Sequence, residues 1–355
     1  MLIFDLKVND KNNSTVIIGC GKTNKYYCDI VRPESKNEMR NVFGDCDLTD
    51  TYDMMIDMGV SDLFVINIEK VHDYITVSQL LAGYDFSYIV PIDINLLDYY
   101  YNPSNNAKKT YYLQYMLRQF YNINESTIIA TDTHASMYED IDTYINTIET
   151  NISKFKSLKT GYNDYKNIVY CANMINDVKW SNAYLAAVIA TTGIDKYPTY
   201  SDTTNTVVFD IDNHDVKADF DGVYFKKHID NSITIENFLN LDTENSLAKP
   251  EFVHRIQKYI FKDLDLTEYI GSIYNEYVKT LILEDLIKYL NNYLNYILVS
   301  YDIVNIYAEN NVETIGTTVI YIRMRIQPIG CVEKYEVTKI IHGNWPNRTR
   351  FWRID

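Results

Sequence analysis

Between residues 15 and 193, short apolar runs alternate with segments of helical periodicity, and this alternation limits the chain to few architectures. The apolar runs are TVIIG (15–19), DLFVINI (62–68), SYIVPI (87–92), STIIATD (126–132) and NIVYCANMI (167–175). Each is short and apolar and reads as a strand, DLFVINI as a buried one. Helical spacing is predicted over 36–43, over about 50–58, in TVSQLLAG, in YYLQYMLRQFYNI, in DIDTYINTIETNISKFKSL and in SNAYLAAVIATTG. In the third-last of these, Leu113, Met116, Leu117 and Phe120 share one face. Gly193 is expected to close the last. Strands and helices in turn predict a layered α/β sheet.

The rhythm breaks over 194–248, a polar region rich in Asp and Thr with short β-like pieces such as TVVFDI and GVYF. A smaller α+β domain is predicted after it. PEFVHRIQKYIFKDL reads as a helix with Pro250 near its first turn. TEYIGSIYNEYVKTLILEDLIKYLNNYL reads as one long helix with Ile270, Ile273, Tyr274, Tyr277, Leu281, Leu286 and Leu290 on one side. YDIVNIYAE, TTVIYIRMRIQPI and EKYEVTKII read as strands, the second alternating Ile320, Ile322, Met324 and Ile326 with Tyr321, Arg323, Arg325 and Gln327. At the front, LIFDLKV sets Leu2, Phe4, Leu6 and Val8 against Ile3, Asp5 and Lys7, a strand cut off by the polar DKNNS. The expected organisation is an N-terminal arm (1–12), an α/β domain (13–245), a C-terminal α+β domain (246–341) and a C-terminal arm (342–355).

Composition removes several functions. The net charge of −15 repels nucleic acid unless a basic patch is segregated. Only the last 17 residues are locally basic, with Lys339, His342, Arg348, Arg350 and Arg353 against Asp355. No run of 18 apolar residues predicts a membrane span. MLIFDLKVND has no basic n-region and carries Asp5 within its apolar run, so it is not expected to be a signal peptide. The five cysteines are scattered without metal spacing and fit free thiols in a reducing compartment. The 33 tyrosines, with abundant Asn and Ile, fit AT-rich coding and carry no function by themselves.

Four stretches could carry chemistry. GCGKT (19–23) resembles the end of a phosphate-binding loop, but Val16 stands where the first glycine belongs and NKYYCDIVRP is not helical in pattern. VFDIDNHDVKADFDG (208–222) fails the calcium-loop frame at His214 and Asp215, and Asp221 is shorter than the bidentate Glu required. His134, two residues past Asp132, sits at a strand end where such sheets can host chemistry, yet a turn is the plainer reading. NVFGDCDLTDTYDMMIDMG (41–59) packs Asp45, Asp47, Asp50, Asp53 and Asp57 together. Local physics explains them without a metal. Asp47 or Thr49 caps a helix and Asp50 meets its dipole. Asp53 and Asp57 lie on a wet outer face, opposite a stripe of Tyr52, Met55 and Ile56, and Gly59 ends the helix. No metal, cofactor or catalytic residue is expected.

The order of elements also resembles a family. ESKNEMRNVFGDCDLTDTYDMMIDMGVSDLFVINI is similar to the N-terminal portion of phage contractile-tail sheath proteins, matching at Phe43-Gly44, Tyr52, Gly59 and the strand 62–68. SYIVPIDI and NAYLAAVIATTGIDKYP resemble the family's next strand and its Ala-rich helix. Toward the end, Pro328, Ile329, Gly330 and Glu333 match the turn into its final strand, with Tyr335 replacing an aliphatic residue. The family's P-G-V-Y-x-E opening is absent, and its G-x-R-T-L stretch is not recognisable near FLNLDTENSLAKPEF. The chain is short for the family, which implies missing outer decoration domains.

The resemblance implies a structural subunit, not an enzyme. Its partners would be copies of itself, an inner tail tube protein, and baseplate and tail-terminator proteins, with no direct nucleic acid contact and no membrane insertion. It would be located in the virion tail, and in host cytoplasm during assembly. The resemblance further implies arms that add strands to neighbouring subunits. The residues suit this: Leu2, Phe4, Leu6 and Val8 at one end, and Trp345, Arg348, Arg350, Phe351, Trp352 and Arg353 at the other. Pairing of both ends within their own chain is the alternative for the arms. For the whole chain, the alternatives are a sheath-like collar or baseplate protein, or an α/β ligand-binding or enzymatic domain.

Overall fold

The computed structural model describes residues 14–84, 86–102, 108–120, 126–158, 165–175, 178–193, 221–227, 233–241, 255, 259–260, 264, 266–269, 275–310 and 318–328. They fall in two units, one carrying the described residues up to Leu241 and the other those from Arg255 onward. The predicted arms, the acidic stretch 208–220, most of PEFVHRIQKYIFKDL and all of EKYEVTKII lie outside the described residues.

The first unit is built on a six-stranded sheet in the order β2-β3-β1-β4-β7-β8. Its strands are β1 (Thr15–Cys20), β2 (Ile30–Val31), β3 (Leu63–Ile68), β4 (Tyr88–Pro91), β7 (Thr127–Ala130) and β8 (Ile168–Tyr170). All pairs are parallel except β2 on β3. Ile17 of β1 stands opposite Val65 on one side and Val90 on the other. Val16, Ile17 and Ile18 are completely buried. A strand enclosed on both faces has no wet positions to mark with polar residues, which explains the unbroken apolar runs.

Between these strands run α1 (Lys36–Phe43), α2 (Asp47–Asp57), α3 (Tyr74–Leu81), α4 (Tyr112–Phe120) and α5 (Ile141–Ser157), and α6 (Ser181–Thr191) follows the last of them. Local chemistry sets their ends. Ser35 caps α1 by accepting from the Glu38 N–H at 3.2 Å, and Asp140 caps α5 by accepting from Thr143 at 2.7 Å. The predicted face Leu113, Met116, Leu117 and Phe120 of α4 is buried throughout. The Ala-rich α6 is buried on nearly every side, and its small side chains let it lie close to the sheet. Asn182 of α6 donates to the carbonyls of Pro91 (2.8 Å) and Ile129 (2.9 Å), tying the helix to the ends of β4 and β7. Gly193 does not close α6 as expected: the helix stops at Thr191, and Thr192, in extended conformation, gives its N–H to Val188 at 3.0 Å.

A ribbon of β5 (Tyr99–Asn102) and β6 (Lys108–Tyr111) precedes α4. A second ribbon, β9 (Tyr224–Lys227) and β10 (Ile233–Glu236), follows α6 in the chain. Residues flanking it cover the outer edge of β8, where Val223 pairs with Cys171 and Asn240 with Val169. An open parallel edge would otherwise be a template for wrong pairing.

In the second unit, α7 (Glu276–Asn291) packs Ile282 and Leu286 against Ile306 of β11 (Leu298–Asn310), with Ile322 and Met324 of β12 (Thr318–Pro328) alongside. The strands are antiparallel. The single long helix predicted from Thr267 is corrected. A 3-10 turn spans Thr267–Tyr269, and a new helix starts where Asn275 accepts from the Val278 N–H at 2.9 Å. The inner stripe is therefore Ile282, Leu286 and Leu290, while Tyr277 is 71% exposed.

Candidate functional sites

The acidic stretch resolves into ion pairs. Arg40, in the last turn of α1, donates to Asp53 at 2.8 Å, to Asp45 at 2.7 Å and to Asp50 at 2.9 Å. These carboxylates push its already high pKa further up, Asp45 most strongly. Asp57 pairs with Lys36 and Asp47 with Lys179. Every aspartate of the stretch thus meets a cation of the same chain. Among the described residues no group of His, Cys, Asp and Glu could hold a metal.

Two details differ from the sequence reading. The cap of α2 is Cys46, whose N–H donates to Thr49 Oγ1 at 3.0 Å, while Asp47 is the first helical residue. Asp53 is not on an open face: its side chain is 16% exposed and folded under Arg40. Like-charge repulsion along α2 is relieved by a residue from another helix, which spacing within α2 could not reveal.

Replacing Arg40 with methionine leaves Asp45, Asp50 and Asp53 facing one another. The melting temperature is expected to drop, and to drop less in high salt, because salt screens repulsion between exposed charges. Thermal melts of both proteins at low and high salt check this; an equal loss in both would show that the cluster does not act through charge.

The glycine loop after β1 is closed by the protein itself. In this strand order the polarity of connections reverses at the carboxyl ends of β1 and β4, where related sheets bind ligands. Here the Cys20 N–H goes to Asp93 at 3.0 Å, the Gly21 N–H to Asn67 Oδ1 at 2.8 Å and the Lys22 N–H to the Phe43 carbonyl at 2.8 Å. Asn67 in turn donates to the carbonyls of Thr23 (2.7 Å) and Lys25 (3.0 Å). The amides that would cradle a phosphate are already taken. A Cβ on Gly19 would lie 2.5 Å from Ile92 and one on Gly21 2.6 Å from Asn67, so packing explains both glycines. Burial, with the Asp93 carboxylate second, pushes the Cys20 thiol up to about 11, away from the reactive thiolate.

At the end of β7, Asp132 and His134 have separate partners. Asp132 is 7% exposed and accepts from Asn151 of α5 at 2.8 Å; burial pushes its carboxyl up to about 6. His134 lies 3.0 Å from the Ile175 carbonyl through Nε2, and its Nδ1 accepts from the Ser136 N–H at 3.1 Å. It holds a turn, as the plainer reading had it. Of the failed calcium frame only Asp221 and Gly222 are described, and Asp221 is paired with Lys156.

The residues predicted for intersubunit contact, Leu2, Phe4, Leu6 and Val8 and then Trp345, Arg348, Arg350, Phe351, Trp352 and Arg353, lie outside the described residues.

No protein-family profile and no curated protein matches the sequence. Solved structures do match in fold. A chain of the anti-feeding prophage baseplate, six-fold symmetrised, superposes with TM-score 0.61 at 9% identity over 95% of this chain and 93% of its own. A chain from the PVC sheath complex of an extracellular contractile injection system, in the contracted state, gives TM-score 0.61 at 10% identity over 93% and 92%. The contracted helical sheath of the anti-feeding prophage gives 0.57 at 9% identity over 96% and 94%. At such identities what is shared is the path of the backbone, and it is shared nearly end to end: this chain has the fold of the sheath proteins of contractile injection systems.

Proposed function

We propose that the protein is a structural subunit of a contractile sheath. Many copies polymerise around an inner tail tube and rearrange as rigid bodies, driving the tube through a host envelope. The observation that carries this reading is the fold match to chains from contracted sheaths, which covers 93% and 96% of this chain. The crevice at β1 and β4, filled by Asp93 and Asn67, agrees with a scaffold. Among the described residues no helix is long and apolar enough to cross a membrane.

On this reading the partners are further copies of the chain, the inner tube protein, and baseplate and tail-terminator proteins. The place of action is an assembled tail, on a phage or a phage-like particle, built in host cytoplasm. A second reading, a sheath-like protein of the baseplate, draws on the matches to chains of baseplate structures. The arms would join neighbours by strand addition, LIFDLKV through Leu2, Phe4, Leu6 and Val8, and the tail through Trp345, Phe351 and Trp352 flanked by arginines.

Electron microscopy of the purified protein is expected to show tubes or rings. Deleting residues 1–9 or 344–355 is expected to leave a folded monomer that no longer forms them. A monodisperse full-length protein with a ligand-dependent melting shift would overturn the sheath reading, and a truncation that assembles normally would remove that arm's role.

A further inference from the structure

The β5–β6 ribbon has two faces with different fates. Tyr100 turns inward, its ring 5.2 Å from His72 and 5.4 Å from Tyr112. Tyr99, Tyr101 and their cross-strand partners Tyr111 and Lys109 share the other face. Tyr99 is 38% exposed and Tyr101 58%. Their rings meet edge to face at 5.4 Å, and the Lys109 ammonium lies 4.2 Å from the Tyr99 ring centre. Rings locked by one another and by a cation lose little freedom on docking, and tyrosine combines apolar area with a polar tip, which is why binding surfaces favour it.

The ribbon lies at the carboxyl end of α5. The helix α4 that continues from it sends Gln114 to the Phe155 and Leu158 carbonyls at 3.4 Å. Lys154, exposed in the last turn of α5, adds its charge to the field on Tyr99. The opposite end of α5, about 25 Å away at 1.5 Å per residue, is acidic: Glu139, Asp140 and Asp142 are all exposed there. One helix therefore carries an aromatic, basic patch at its end and an acidic patch at its start.

We propose that the outer face of this ribbon, Tyr99, Tyr101, Tyr111 and Lys109, docks on the acidic start of α5, Glu139 and Asp142, in a second copy of the chain. The charge signs select this occupant. A basic patch repels its own image, so a two-fold contact through the ribbon is disfavoured, and a net charge of −15 disfavours nucleic acid as partner. A contact between two different patches of identical chains is heterologous and repeats, giving rings or filaments. The inference rests on the reading of the chain as an assembling subunit and adds a contact made by the body, apart from the arms.

The test is charge reversal in the full chain, read by sedimentation and electron microscopy over a range of concentrations at low salt. Lys109→Glu and the pair Glu139→Lys with Asp142→Lys are each expected to raise the concentration needed for assembly about tenfold, the effect of roughly 1.4 kcal/mol. Combining all three is expected to restore assembly. All sites are exposed, so melting temperatures should fall little: slightly for the lysines at the start of α5, which oppose the helix dipole, and least for Lys109→Glu. Assembly of Lys109→Glu at the wild-type concentration, or failure of the combination to recover, overturns the contact while leaving the sheath reading intact. A wild-type protein that never assembles overturns both.

Discussion

Replacing Phe43 with alanine is expected to cost about 3–5 kcal/mol, the range for emptying a buried aromatic site. The side chain is completely buried at the last position of α1. It stands edge-on to Tyr26 at 6.5 Å between ring centres, and Met39 of the same helix is fully buried beside the same sheet. Its surroundings have little room to collapse, because the loop above it is pinned by its own backbone. The Phe43 carbonyl accepts from the Lys22 N–H at 2.8 Å, and the Val42 carbonyl accepts from Thr23 Oγ1 at 2.6 Å. These bonds survive the substitution and hold the cavity open. Gly44 follows with φ of 76°, and its N–H is held by the Arg40 carbonyl at 2.8 Å, which fixes the exit of the chain from the helix. Urea unfolding should show a lower midpoint at an unchanged slope. A loss below 1 kcal/mol would mean that the α1 elbow does not anchor the sheet. Since whole domains are stable by about 5–15 kcal/mol, the variant should also fail to assemble at warm temperatures.

Phe43-Gly44 entered the sequence reading through the family resemblance, and the structure supplies its physical basis: Phe43 is the last, buried residue of α1 and Gly44 caps it at a φ of 76°. The parallel strands were legible for a physical reason: burial on both faces leaves a run of apolar residues whose length separates it from a helix. Other features left no such trace. In the β5–β6 ribbon, tyrosines occupy both faces, so YYYN has no polar–apolar period and no strand was read there. The break between Thr267–Tyr269 and α7 was hidden because apolar spacing continues through it, and only the capping geometry of Asn275 sets the new start.

The candidate sites divide along the same line. Capping of α2 was visible as local chemistry: of the two candidates, Thr49 accepts from the Cys46 N–H, while Asp47 is the first helical residue. Arg40 was missed because its partners, Asp50 and Asp53, are ten and thirteen residues on and across a turn. The same holds for Asp93 and Asn67, which meet the β1 loop only after the sheet has formed. Spacing reports contacts within one element; the polar contacts that fill this crevice are between elements.

Replacing Asp132 with asparagine is expected to stabilise the protein at pH 8 by about 2 kcal/mol and to give no gain at pH 4. Burial raises the folded-state pKa of Asp132 from 3.8 to about 6, despite hydrogen bonds from Asn151 and Thr133 that pull it back. The sign follows from proton binding. Between pH 4 and 6 the folded protein holds a proton that the unfolded chain has released, so stability contributed by the neutral acid is present below pH 4 and lost as pH rises through 6. At about 1.4 kcal/mol per pH unit that loss totals about 3 kcal/mol. Asparagine never ionises and escapes the loss, but its amide group can accept only one of the two bonds, which takes back about 1 kcal/mol. Unfolding free energies measured from pH 4 to 8 should therefore decline for the wild type between 4 and 6 and stay flatter for Asp132→Asn, the two curves crossing in that window. Parallel curves would show that Asp132 keeps an ordinary carboxylate pKa, and that Asn151 of α5 compensates its burial by holding it ionised against the end of β7.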